Sequence, residues 1–79
     1  MIHIEAEDLT KPKLAFARWL LTQKGRGDAI GDLARAAVAD RAFPKDGDVE
    51  AVSKRLNVLQ ADPDMHVALE DAELDWAAL

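Results

Sequence analysis

Between Met65 and Leu79 the apolar residues Met65, Ala68, Leu69, Ala72, Trp76 and Leu79 recur at steps of three and four. At roughly 100° per residue they fall within about 100° of arc, so a helix gathers them into one stripe. A strand would scatter them over both faces. Such a stripe has to be buried against apolar faces on other elements, and the rest of the chain must supply them.

It supplies three more helical segments. The first is predicted from about Lys13 to Lys24, after Pro12, which suits a first-turn position. Leu14, Ala17, Leu20 and Leu21 share one side of it, and Phe16 and Trp19 widen that side, which predicts a central helix. Gly25 is expected to end it in a left-handed conformation, with Lys24 near the negative end of the dipole. Asp28 is the expected N-cap of the second helix, whose buried face is Ile30, Leu33, Ala34, Ala37 and Val38. That helix should fray by Arg41, because Phe43 precedes Pro44 and is pushed away from helical geometry. Phe43 to Gly47 is expected to be a turn. Asp48 caps the third helix, with Val49, Val52, Leu56 and Leu59 along its face, and Asp62-Pro63 opens the fourth.

Residues 13–79 are therefore expected to form a single all-α domain, a small four-helix bundle. Residues 1–12, where Ile2-His3-Ile4-Glu5 alternates with no sheet to join, are expected to be an extended or disordered arm. A chain of 79 residues buries only about 60% of its unfolded surface. It has no cysteine, so the bundle must stand on one well-filled core without disulfides or thiolate metal sites. No apolar run approaches the ~20 residues of a membrane span, and no signal-peptide segment is evident at the start, so a cytoplasmic protein is expected.

Charge is unevenly spread. Residues 1–45 carry eight basic and six acidic side chains, whereas residues 46–79 carry two basic and nine acidic ones. A net +2 in the first part and −7 in the second give the overall −5. Arg18, Lys24, Arg26, Arg35, Arg41 and Lys45 form a candidate basic surface. On the last helix, Val67 and Leu74 fall nearly opposite the apolar stripe, among Glu70, Asp71 and Asp75. Val67, Leu74, Glu70 and Asp71 form a candidate partner surface.

The order of these pieces, WLLTQK, DAIGDLA, Asp40, Phe43-Pro44-Lys45 and a late acidic helix ALEDAELDWAAL with Trp76, resembles the YozE family, whose fold is similar to the sterile alpha motif. The resemblance spans roughly Leu14 to Leu79. The chain differs from the family pattern in having about a dozen residues before the first helix and no tyrosine. What the resemblance implies is a compact helical bundle and no enzymatic activity. Protein or nucleic-acid binding is suggested by analogy of fold alone.

The residues themselves offer little chemistry. His3 and His66 lie in different segments, and no second histidine follows at helical spacing, so no metal or cofactor is expected. Asp46-Gly47-Asp48 and Asp62-Pro63-Asp64 lack the alternating oxygen ligands of a calcium loop and are better explained by helix capping. Ser53 is the only serine and sits in no nucleophile motif, and Gly25-Arg26-Gly27 lacks the spacing of a phosphate loop. Arg26-Gly27-Asp28 is expected to be a hinge with Asp28 as cap, not an adhesion motif. The expected function is a non-enzymatic module that binds another protein or itself. The alternatives are nucleic-acid binding through the basic segment 11–45, or an acidic DNA-mimicking inhibitor from a mobile element.

Overall fold

The computed structural model describes residues 14–79, and among them four helices and no strand. The helices are α1 (Phe16–Leu21), α2 (Ala29–Ala39), α3 (Val49–Val58) and α4 (Pro63–Ala77). The expected N-terminal arm, with His3, Lys11 and Pro12, lies outside the described residues, as does Lys13 at the expected start of the first helix.

Helix α1 is shorter at its start than the sequence implies. Ala15 is extended (φ −57°, ψ 152°) and offers no side-chain cap. The missing cap is replaced by tertiary bonds: the Ala17 N–H donates to the Gly47 carbonyl at 3.1 Å, so the loop before α3 satisfies an orphan donor of α1. The Leu14 carbonyl accepts from the Trp76 indole Nε1 at 2.9 Å. Leu14 precedes the helix and its side chain is exposed, contrary to the expected core position.

At the other end Gly25 is not left-handed, because none of the glycines among the described residues has a positive φ. Helix α1 closes instead in tight turns, Thr22 N–H to Trp19 carbonyl and Gln23 N–H to Leu20 carbonyl, both 2.9 Å. The Thr22 hydroxyl adds a bond to the Trp19 carbonyl at 2.6 Å. These bonds satisfy the terminal carbonyls that a glycine cap would otherwise serve.

Both aspartate caps form as expected. Asp28 accepts from the Gly31 N–H at 3.0 Å and Asp48 from the Ala51 N–H at 2.9 Å. Asp62 occupies the N-cap position of α4 with Pro63 following, but its side chain makes no cap bond. The left-handed residue of the domain is Gln60 (φ 55°), just beyond α3. There the Ala61 N–H reaches the Leu56 carbonyl at 3.0 Å and the Gln60 N–H the Asn57 carbonyl at 3.1 Å. That pair of bonds is the Schellman arrangement, built here without glycine.

Helix α4 packs against all three others, and α1 packs against α2 and α3, whereas α2 and α3 do not pack on each other. The core is Phe16, Ala17, Trp19 and Leu20 of α1, Ile30, Leu33, Ala34 and Ala37 of α2, Val52 and Leu56 of α3, and Ala68, Leu69 and Ala72 of α4. Phe16 lies at its centre, with ring centroids 5.9 Å from Trp19 and 5.8 Å from the edge-on Trp76. Besides Leu14, three residues expected in the core stand outside it. Val38 lies in the last turn of α2, one residue before its end, and is exposed. Leu59 and Leu79 lie beyond the last turns of α3 and α4 and are exposed as well. Phe43, in the link expected to be only a turn, is buried and completes the core.

Candidate functional site

The Arg26-Gly27-Asp28 hinge is held from several directions. The Arg26 guanidinium donates through Nη2 to Asp28 Oδ2 at 2.7 Å, through Nε to both carboxylate oxygens, and through Nη1 to Asp75 Oδ2 of α4 at 3.1 Å. Bonding to Arg26 first, and to the Gly31 N–H second, holds the Asp28 carboxyl below its ordinary range, and the Arg26 pKa is raised in return. From α2, Arg35 Nη1 donates to the Lys24 carbonyl at 2.7 Å and to the Arg26 carbonyl at 2.9 Å, while its Nη2 pairs with Asp32. An adhesion motif presents a free aspartate. This Asp28 is committed to a guanidinium and a backbone N–H, and the tripeptide is a hinge.

Gly31 explains why the hinge lies so close to α2. A Cβ built there would sit 2.0 Å from the Arg26 carbonyl oxygen, which leaves no room for any side chain. The sequence signals a helix start at Asp28 but nothing about this approach, because the atom Gly31 must avoid belongs to the preceding hinge.

The candidate basic surface is partly dissolved within the fold. Arg18 pairs with Asp46 at 2.6 Å, Arg26 with Asp28 and Asp75, and Arg35 with Asp32. Lys24, Arg41 and Lys45 make no ion pair among the described residues, and all three are exposed. They belong respectively to the α1–α2 hinge, the segment just after α2 and the loop before α3. A further pair that sequence reading did not single out is bidentate: Arg55 of α3 donates to Asp40 at 2.7 Å through both Nε and Nη2. Asp40 also accepts from the Ala42 N–H, and bonding to Arg55 lowers its pKa. This pair joins the ends of α2 and α3 across a small apolar cleft of about 30 Å³ lined by Leu33, Phe43, Leu56 and Leu59.

The candidate partner surface lies where the wheel puts it, on the outer side of α4. Val67 is 55% and Leu74 70% exposed, with Glu70 and Asp71 between them, also exposed. Glu70, Asp71 and Glu73 make no ion pair among the described residues. His66 is half-buried on the same helix. A larger groove, about 450 Å³, opens between the loop before α3 and the C-terminal half of α4. Its floor is Phe16, Val49 and Trp76, and Asp48, Glu50 and Glu73 stand along its walls. The groove was not legible in the sequence, since its walls come from segments more than twenty residues apart.

Among the described residues, no three His, Cys, Asp or Glu side chains converge as a metal site requires. None of their helices is long and apolar enough to cross a membrane.

Residues 15–75 match the model of the family described as the YozE SAM-like fold. No curated protein and no solved structure matches the chain.

Proposed function

The chain belongs to the YozE SAM-like fold family, and from that premise we propose that it is a non-enzymatic module that binds another protein. One observation carries this reading: four arginines are each paired with an aspartate and the remaining cations are scattered along the chain, whereas unpaired acids gather on one helix. Arg18, Arg26, Arg35 and Arg55 are each bonded to an aspartate, whereas Glu70, Asp71 and Glu73 on α4 are unpaired among the described residues. An acidic surface carrying exposed Val67 and Leu74 suits a partner with basic and apolar groups. It opposes phosphate binding, where affinity grows with the number of phosphates neutralised. The lack of cysteine suits work in a reducing cytoplasm.

The test is an amide-shift titration of the protein with short duplex and single-stranded DNA at low and moderate salt. No shifts across residues 18–45 are expected. Shifts there at low salt that fade as salt rises would overturn the preference for protein. Sedimentation over a range of concentration then separates self-association from binding to a different partner.

A further inference from the structure

We propose that the groove between the loop before α3 and the C-terminal half of α4 receives a lysine- or arginine-bearing segment of a partner protein. This inference rests on the interaction reading above and assigns it a site.

The floor of the groove, Phe16, Val49 and Trp76, is apolar and partly aromatic, and its volume of about 450 Å³ is enough for side chains of a bound peptide. The walls carry charge of one sign. Among the described residues neither lysine nor arginine lines the groove, whereas Asp46, Asp48, Glu50 and Glu73 do, and of these only Asp46 has an arginine, Arg18 at 2.6 Å. The charge of the other three is little compensated by the fold. Asp48 spends one oxygen on the Ala51 N–H. Glu50 has only Lys54 at 3.9 Å, with both side chains 75% exposed. Glu73 makes no ion pair among the described residues.

An apolar floor beneath carboxylate walls matches a side chain with a hydrocarbon stem and a cationic head. The stem covers the floor while the head remains among the carboxylates, as lysine and arginine do elsewhere. An arginine adds paired hydrogen bonds to a carboxylate and attraction to an aromatic face. A purely apolar occupant would strip water from the carboxylates without replacing it, and an anionic one would be repelled. The groove is also open, so a small amine would fill only part of it. A peptide segment reaches beyond the rim and gains contacts outside.

The test uses the full chain and a capped hexapeptide of alternating arginine and alanine, followed by amide and indole NMR shifts at low salt. The largest shifts are expected at Gly47–Glu50, at Glu73 and at the Trp76 indole. Glu73→Gln and Glu50→Gln should each weaken binding at least threefold, whereas Glu70→Gln on the outer face should leave it unchanged. Replacing the peptide's arginines with glutamate should abolish the shifts. Shifts centred on Val67, Glu70, Asp71 and Leu74 would overturn the groove while leaving the interaction reading in place. No shifts at all, or equal weakening by Glu70→Gln and Glu73→Gln, would also overturn it. Failure of the interaction reading itself has a different signature, the DNA-induced shifts across residues 18–45.

Discussion

Gly31→Ala is the substitution on which local and tertiary reasoning disagree in sign. Gly31 is the third residue of α2, and helix propensity alone favours alanine there by about 1 kcal/mol. The structure says otherwise. The new Cβ would lie 2.0 Å from the Arg26 carbonyl oxygen and 2.7 Å from its carbon. The contact must lengthen by more than about 1 Å to resemble any ordinary van der Waals approach. Nothing flexible can yield, because the obstructing atoms are backbone. The hinge is fixed by Arg35 on the Lys24 and Arg26 carbonyls, by Asp28 on Gly31, and by Arg26 on Asp75. Forced overpacking of this kind costs about 1–3 kcal/mol. Each exposed hydrogen bond lost adds about 0.5–1.5 kcal/mol. After the propensity gain, a net destabilisation of about 1–3 kcal/mol is expected. For a domain of this size that corresponds to a fall in Tm of roughly 5–20 °C. Thermal and urea unfolding followed by circular dichroism measure it. Gly25→Ala and Gly27→Ala are the controls, since a Cβ at either meets nothing within 4 Å and neither φ is positive. They should be neutral or stabilise by up to about 1 kcal/mol. A Gly31→Ala protein that melts at or above wild type would refute the account of the hinge.

Gln60→Gly should raise the urea midpoint by an amount equivalent to about 0.5–1 kcal/mol. Glycine removes the left-handed strain at φ 55°, which outweighs its greater freedom in the unfolded chain. A lower midpoint would contradict the cap described after α3. Trp19→Ala, which empties a buried aromatic site beside Phe16, should cost about 3–5 kcal/mol and leave much of so small a domain unfolded by far-UV circular dichroism. A native melting profile would argue against the central place of α1. Asp28 and Asp40 have carboxyls held below their ordinary range by Arg26 and Arg55, so their stabilisation is full above the ordinary aspartate pKa. It is lost as pH falls through the lowered folded values. Melting temperature should therefore drop below about pH 4, and Asp40→Asn should flatten that drop. Parallel wild-type and Asp40→Asn curves below pH 4 would sink the assignment.

What could be read from the sequence was whatever is local. Asp28 and Asp48 were recognisable as caps because residue type and distance to the next apolar stripe are properties of a few neighbouring positions. The buried faces of α2 and α4 were legible for the same reason, through Ile30, Leu33, Ala34 and Ala37 and through Ala68, Leu69 and Ala72. Errors gather at the margins of stripes, where periodicity cannot say how far a neighbouring helix reaches. Val38, Leu59 and Leu79 are of that kind. Phe43 was missed because a single residue in a link has no period, although its ring closes the core. The ion pairs were out of reach, since Arg26 meets Asp75 across 49 positions and Arg55 meets Asp40 across 15. The candidate basic surface looked larger in sequence than in space for that reason. The groove beside Trp76 depends on the same long-range folding.

The position of α4 has a consequence for synthesis. It is the fourth helix in chain order, yet it packs against each of the three before it. Until it emerges from the ribosome, Phe16 lacks the Trp76 ring and each earlier helix lacks one of its packing partners, while α2 and α3 do not pack on each other and are tied at their ends by the Arg55–Asp40 pair. At translation rates of about 5–20 residues per second, its fifteen residues take roughly one to three seconds to add. During that interval the first three helices form an incomplete, sticky assembly. Folding of the domain is therefore gated by the arrival of its last helix.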